Sequence, residues 1–473
     1  MPEKIELRVS DFPRASASLI EDHPEVRESV YRATLHFDQN RAKAYAEVPA
    51  EAWRDYARDV KAHLLSRLAD YLEAAEARLK ENGAEVLWAD GPEDAHRILA
   101  EIVERHGVRR VVKAKSMLTE ELGVNAFLEA RGLEVYETDL GEFIIQLAGE
   151  PPSHIVGPAI HKSLDQVRRL FHVHLGTPPD AEPEVLARAA REFLRERFLT
   201  AELGISGANF LVAETGTIAL VENEGNIRLT TSVPKVHVAF VGIEKLLPRF
   251  DDLAIFLQLL ARAATGQPIG TFVSLIQGPK KDDPDGPEAL YVVLVDNGRT
   301  AALADDEAWE VLRCIRCGAC LNVCPVYRQM GGHPYGFVYS GPIGEILAPH
   351  FLGVEGAYPL YNASTLCGAC GEVCPVKIPI PKLILTWRHR AVDSGLAAPA
   401  EPQLIKAYAE TMRRPGAYRL ASKALRLLPS ALASERLPVV RAWTRYRAGL
   451  TPSPRPFHEL WEELEDERKN ANP

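Results

Sequence analysis

Cys314-Ile315-Arg316-Cys317-Gly318-Ala319-Cys320-Leu321-Asn322-Val323-Cys324-Pro325 places four thiols within eleven residues. A second run, Cys367-Gly368-Ala369-Cys370-Gly371-Glu372-Val373-Cys374-Pro375, adds three, and the two runs hold all seven cysteines of the 473-residue chain. The first has the spacing of a bacterial-type iron–sulfur site, in which three close cysteines hold one cluster and the fourth reaches to another. Zinc sites usually pair two Cys-x2-4-Cys units, or a Cys pair with a His pair, across a longer gap. Three thiols within seven residues suit one face of a cubane better than a tetrahedral ion. An odd cysteine count in a large chain without a secretory signal argues against disulfides. The pattern points to one-electron transfer.

If the fourth cysteine of each run belongs to the other cluster, cluster one takes Cys314, Cys317, Cys320 and Cys374, and cluster two takes Cys324, Cys367 and Cys370. The second set is one thiolate short. Counting back by the same spacing places the missing position at Ser364, which could ligate through its oxygen or only cap a helix. Water, or a three-iron cluster, would complete the set in other ways. His333 is a further candidate to reach iron, although a lone loop histidine is more often structural. The 42 residues between Cys324 and Cys367 are too many for a compact two-strand ferredoxin repeat. Gly331–Gly336 and Ser340–Glu345 read as a loop and then a short helix, and helical pattern flanks the motifs at Asp306–Arg313 and Pro381–Arg390. Residues 301–390 are therefore expected to form an all-α helical ferredoxin domain, of the kind that relays electrons in multi-subunit dehydrogenases.

Upstream, residues 1–50 lack a sustained period and predict an N-terminal arm, extended except for one short helix. Apolar residues at helical spacing (Val60, Leu64, Leu68, Leu72) predict a helix over Glu51–Lys80, ended by Gly83. Strands and helices then alternate: Glu85–Ala89, a helix from Pro92 to Gly107, Arg109–Ala114, a helix over Glu120–Arg131, and Leu133–Glu137. This βαβαβ rhythm predicts a parallel sheet covered by helices. A long helix at Pro183–Leu203 precedes Asn209–Ala213, and Thr217–Glu222 with Ile227–Thr231 reads as a hairpin about Asn223–Asn226. Val236–Val241, Thr271–Ile276 and Tyr291–Val295 are further strands, with a helix at Asp252–Ala264. Residues 51–300 thus read as one α/β domain.

Chemistry-capable positions in that domain are sparse. Glu214-Thr215-Gly216-Thr217 could present a carboxylate beside backbone donors, or form a tight turn with Gly216 at positive φ. Lys113, Lys115 and Ser116 follow a strand at the sheet end where open α/β folds bind ligands, an arrangement suited to an anion. His172 and His174 alternate as in a strand and could chelate a metal, although core or surface roles are commoner. There is no G-x-G-x-x-G fingerprint, no G-x-x-x-x-G-K-[ST] loop and no G-x-S-x-G elbow. Nothing in the domain reads as a self-sufficient nicotinamide or flavin enzyme.

The formal charge of −10 argues against nucleic acid as the main partner. No apolar run approaches the roughly 18 residues of a membrane span, and the N-terminus has no basic region followed by an apolar stretch, so export by a general signal peptide is not expected. Charge is segregated, however. Residues 382–456 carry 14 Lys/Arg against 4 acids, a net +10, which leaves −20 on the remainder. This basic helical C-terminal region, residues 391–473, suggests docking to an acidic partner or a membrane face, against the alternative of a merely solvated surface.

Several segments resemble the lactate utilization protein B family: Ser116-Met117-Leu118-Thr119-Glu120-Glu121, Thr138-Asp139-Leu140-Gly141-Glu142-Phe143-Ile144-Ile145-Gln146-Leu147, Ala213-Glu214-Thr215-Gly216-Thr217, Gly341-Pro342-Ile343-Gly344 and the two cysteine runs. The likeness spans about residues 30–390. It implies that the N-terminal part is a lactate-utilization domain, similar in fold to sugar-isomerase and CoA-transferase sheets. It further implies a cytoplasmic electron-carrying subunit with two [4Fe-4S] clusters, the second on three cysteines, and no catalytic residue of its own. Its partners would be a cysteine-rich iron–sulfur subunit and a second lactate-utilization-domain protein, together oxidising L-lactate to pyruvate for growth on lactate. Two other readings stay open: an iron–sulfur redox sensor or scaffold, and an enzyme whose α/β domain binds a phosphorylated or CoA-type ligand through Glu214, Lys113 and Lys115.

Overall fold

The computed structural model describes residues 8–281, 285–396, 401–426 and 455–471, with the single positions 441, 444 and 453. Its chain divides after Ala391 into two compact units. In the first unit ten strands form: β1 Glu85–Ala89, β2 Arg110–Lys113, β3 Glu134–Glu137, β4 Leu203–Ser206, β5 Phe210–Val212, β6 Thr217–Glu222, β7 Val236–Gly242, β8 Leu246–Leu247, β9 Phe272–Ile276 and β10 Ala289–Val295. Six of them make a sheet of order β1-β10-β7-β4-β2-β3, parallel throughout. Parallel strands need crossovers, and the helices that provide them cover both faces, so β7 is buried at every residue. Side chains alternate across it: Val238 and Phe240 pack with Val293, Leu99 and Ile102 on one face, whereas Ala239 and Val241 pack with Leu294, Leu72 and Leu211 on the other.

The second sheet has the order β8-β5-β6-β9. Its hairpin joins β5 to β6, pairing Val212 with Thr217. The turn requires glycine: Gly216 has φ +65°, and a Cβ there would lie 2.9 Å from the Arg78 carbonyl carbon. The expected return strand at Ile227–Thr231 is instead the helix Asn226–Ser232. Glu222 ends β6, and its carboxylate accepts the Ile227 and Arg228 amides at 2.7 and 2.9 Å. Those amides are satisfied as in a helix start, not by a sheet partner.

Three other expectations are corrected. The described part of the expected arm, residues 8–50, is not extended: helices run over Phe12–Asp22 and Pro24–Ala46. The second packs against the helices Leu253–Thr265, Ala319–Val323 and Tyr327–Met330, yet buries only Val30, Thr34 and Ala44 along its length. So sparse a buried face leaves no period to read. The single helix over Glu51–Lys80 is two, Ala50–Ser66 and Leu68–Glu81, broken at Arg67. His172 and His174 lie on the helix Leu164–Leu175, not on a strand, and both are exposed. A residue spacing of two does not share a helical face, so the pair forms no chelate.

The second unit contains the helices Glu401–Arg413, Pro415–Arg426 and Phe457–Ala471. Within it Arg419 and Glu462 form an ion pair at 3.6 Å, and the Tyr418 and His458 rings meet edge to face. No helix among the described residues is long and apolar enough to cross a membrane.

Candidate metal centre

The two cysteine runs fold alike. In the first, the 3-10 turn Trp309–Arg313 ends at Cys314, Arg316 takes φ 60° and Gly318 φ 75°, and a short helix, Ala319–Val323, leads to Cys324. In the second, Leu366 takes φ 54° and Gly368 φ 90°, and the helix Ala369–Glu372 leads to Cys374. A left-handed conformation at Arg316 and Leu366 is uncommon for residues with a Cβ. It recurs at the same offset from Cys317 and Cys367, so both runs hold one backbone shape, a strain typical of ligand clamps. On that register Ser364 occupies the place that Cys314 holds in the first run.

Cys314, Cys317, Cys320 and Cys374 line one cavity, closed by Ile155, Ile343, Ile378 and Ile380. Cys374 comes from the other run and is fixed from outside it: buried Arg54 donates to its carbonyl at 3.1 Å and to the Glu372 carbonyl at 2.5 Å. Backbone amides point at sulfur, Arg316 N–H to Cys314 Sγ at 3.4 Å and Ile378 N–H to Cys374 Sγ at 3.3 Å. Such bonds help set a cluster's potential. Burial pushes the Cys374 thiol up to about 11 and raises Cys317 and Cys320 further, with the neighbouring thiols adding to the effect. Deprotonating these thiols therefore needs compensating positive charge, and the site supplies it. Arg54 lowers Cys374; Lys61, Lys245 and Arg316 all feel the charge of Cys314. Lys61 is 1% exposed; burial drives it down to about 7 against the pull of Glu244. Four converging thiols in an apolar cavity with a cationic surround match the donor chemistry of an iron–sulfur cluster.

Cys324 and Cys370 are buried near one another, while Cys367 is exposed. Burial pushes both buried thiols up to about 12, and the next contribution to each is the charge of Glu345. Glu345 lies in the helix Gly341–Gly356, whose first nine residues are all buried. Gly344 lets that helix close on the preceding loop, because a Cβ there would lie 1.9 Å from the Tyr339 carbonyl oxygen. Burial lifts the Glu345 carboxyl to about 8, with Arg388 pulling it the other way.

An ion network joins this region to the parallel sheet. Arg299, 3% exposed, grips both Glu121 oxygens at 2.8 and 3.0 Å and Glu244 at 2.5 Å. Tyr339 donates to Glu121 at 2.7 Å, and Arg316 reaches Glu244 at 3.4 Å. The residue between the first two cysteines is thus tied to the end of β7.

The remaining candidates have other tasks. Ser364 Oγ accepts the Leu366 amide at 3.2 Å within its own loop and caps no helix. His333 Nε2 meets the Pro151 carbonyl at 2.8 Å, and its ring packs on His161. Lys113 is fully buried between Glu137 at 2.9 Å and Glu120 at 3.0 Å, and Lys115 donates to the Val156 carbonyl at 2.8 Å and pairs with Asp139 at 3.5 Å. Ser116 accepts the Thr119 amide as the cap of the helix Met117–Glu121. Both lysines are therefore neutralised within the protein, and no anion site forms there. Glu214 sits exposed in the hairpin turn and accepts the Phe250 amide at 2.8 Å. Glu214→Gln should leave iron content and electron-transfer rate within about twofold of wild type. The roughly hundredfold or greater loss that follows removal of an acid–base group would instead reveal a catalytic carboxylate; iron analysis and stopped-flow reduction decide. Sequence reading missed Arg54, Lys61, Glu244, Arg299 and Glu345, none of which stands in a motif. Arg316 alone had a visible signal, its place between two ligand positions.

An α/β sheet joined to a helical domain with two cysteine runs of this geometry defines an iron–sulfur electron-transfer class of protein. Residues 72–295 match the LUD domain, 310–378 the 4Fe-4S dicluster domain, and 390–466 the C-terminal region of lactate utilisation protein B. The chain is 42% identical to lactate utilization protein B of Geobacillus thermodenitrificans, over 89% of this chain and 90% of that one. It is 43% identical to that of Lysinibacillus sphaericus over 84% of each. An Escherichia coli relative named uncharacterized electron transport protein YkgF is 44% identical over 88% of this chain and 87% of its own. The chain belongs to the lactate utilization protein B family.

Proposed function

We propose that the protein carries electrons within a cytoplasmic complex that oxidises L-lactate to pyruvate, allowing growth on lactate. The observation that carries this reading is the single cavity lined by Cys314, Cys317, Cys320 and Cys374 in a chain whose relatives are named for lactate utilization. It supports a crossed assignment in which a second cluster takes Cys324, Cys367 and Cys370. Oxidation of the 2-hydroxy acid releases two electrons and two protons, and two [4Fe-4S] clusters would take up the electrons singly. The helices Ala319–Val323 and Ala369–Glu372, which carry Cys320 and Cys370, pack against one another, so the two ligand groups adjoin. The α/β unit, read as a sheet of the sugar-isomerase and CoA-transferase type, docks and orients this relay. Its partners would be a cysteine-rich iron–sulfur subunit and a second lactate-utilization-domain protein. Anaerobic co-purification with those partners, followed by EPR, tests the reading. Lactate should reduce the clusters of the assembled protein and not those of the isolated chain. Redox-dependent partner binding without lactate-linked reduction would favour a sensor instead.

The basic tail is read as the docking segment. Arg441 is exposed, whereas Arg445 and Arg447 lie outside the described residues. Replacing all three by Gln should slow association with the partner subunits and flatten its salt dependence, because charge steering weakens as the Debye length shortens to about 8 Å at physiological ionic strength. Iron content should not change, since every cysteine precedes residue 375. An unchanged rate and salt slope, with unchanged binding to anionic vesicles, would make the tail a solvated surface only. Loss of vesicle binding alone would make it a membrane contact.

A further inference from the structure

Glu345 is 0% exposed, and neither of its carboxylate oxygens has a hydrogen-bond partner among the described residues. A buried carboxylate is normally paired or coordinates a metal. One left with both oxygens unmatched calls for a specific reason, such as an ion that it serves. Arg388, the cation that acts on it, is itself committed to the carbonyls of Tyr361 and Ser364, each at 2.8 Å. After burial, the charge of Glu345 is the first influence on both Cys324 and Cys370. The helix that carries Glu345 packs on the helix Ala319–Val323, which leads directly to Cys324, with Gly341 against the Leu321 side chain, so the group stands beside the cysteine set that is one ligand short.

The other candidates for that position are less suited to it. Ser364 holds the place of Cys314 and accepts the Leu366 amide as Cys314 accepts that of Arg316, but its hydroxyl carries a proton that it must lose to ligate, whereas an ionised carboxylate is an acceptor only. His333 faces Pro151 and His161. A carboxylate is a harder donor than thiolate, but iron accepts both.

We propose that Glu345 is the fourth protein ligand of the second cluster, its carboxylate holding the iron that Cys324, Cys367 and Cys370 leave without a thiolate. The assignment rests on the two-cluster reading above. It accounts for a helix that starts at Gly341, approaches closely through Gly344 and delivers one acid into an otherwise apolar turn. It also makes the second site chemically unlike the first: mixed oxygen and sulfur donors with one exposed cysteine, against four thiolates in a closed cavity.

The test uses the full-length chain purified anaerobically, with iron and acid-labile sulfide analysis, EPR and Mössbauer spectroscopy. Wild type should hold about eight irons, the content of two [4Fe-4S] clusters. Glu345→Gln, nearly isosteric but a poor ligand, should keep the first cluster's signal and lose about one iron from the second, giving a three-iron spectrum. Glu345→Cys should restore the full iron content and move the second cluster's midpoint to more negative potential, because thiolate donates more strongly. The first cluster's signal reports folding in each variant. If Glu345→Gln loses both clusters, Glu345→Cys decides: recovery of both supports the ligand, and failure to recover overturns it. Glu345→Gln with unchanged iron and unchanged spectra on a two-cluster wild type overturns the ligand assignment alone. A wild type with only about four irons overturns the two-cluster reading, and the assignment falls with it.

Discussion

Cys374→Ser should abolish the EPR signal of the first cluster and Cys324→Ser that of the second, each variant retaining the other signal and roughly half the iron. The expectation follows from where the two thiols sit. Cys374 lines the cavity of Cys314, Cys317 and Cys320, although it lies at least 54 positions from them in sequence. Its carbonyl is clamped by Arg54 and its sulfur faces the Ile378 amide, so a serine there would keep the backbone in place while removing the donor. Cys324 is buried, and the other thiol acting on it is that of Cys370. The two losses should also differ in kind. The second site includes exposed Cys367, so air should strip iron from it first in wild type, and Cys374→Ser should leave only the more labile cluster. If both substitutions removed the same signal, one cluster would depend on both thiols, and if Cys324→Ser removed the air-stable signal and Cys374→Ser the labile one, each run would hold its own cluster; either result overturns the crossed pattern.

Arg299→Met should be the most destabilising substitution outside the cysteines. It leaves Glu121 and Glu244, 3% and 1% exposed, without their main counter-charge. Breaking a buried ion pair by removing one partner typically costs about 3–5 kcal/mol. A drop in thermal midpoint of roughly 5–10 °C is the expected scale, read by circular dichroism under anaerobic conditions. Glu244→Gln tests the same network with a defined pH signature. Burial pushes the Glu244 carboxyl up, but Arg299, Arg316 and Lys245 outweigh it and hold the group at about 2. A carboxyl depressed in the folded state stabilises fully above its unfolded value near 4.3 and progressively less as pH falls toward the folded value. The stability gap between wild type and Glu244→Gln should therefore be widest at neutral pH and narrow below about pH 4. A gap that widened on acidification would mean that Glu244 is neutral in the folded protein.

The sequence by itself determined the chemistry and most of the sheet. Ligand spacing is a covalent property, so the two cysteine runs were readable without any fold. The inner strands at 110–113, 236–242 and 289–295 showed as short apolar segments because burial on both faces leaves a local imprint, and the edge strands at 85–89 and 134–137 showed by their place in the βαβαβ alternation. Helix ends marked by Gly83 and Gly107 were legible for the same local reason, a left-handed glycine after the last turn. What the tertiary structure decided is whatever depends on partners remote in the chain. The helix Pro24–Ala46 covers the cysteine region with too few buried residues to show a period, and Asn226–Ser232 is a helix because Glu222 satisfies its first amides. Arg54 reaches Cys374 across 320 positions, and Arg299 reaches Glu121 across 178. Glu345 is an ordinary helical acid in sequence. Only the packing of its helix removes water and hydrogen-bond partners from it and brings its charge to Cys324 and Cys370. Coulomb energy and desolvation depend on distance and burial in space, and neither quantity is written in the order of residues.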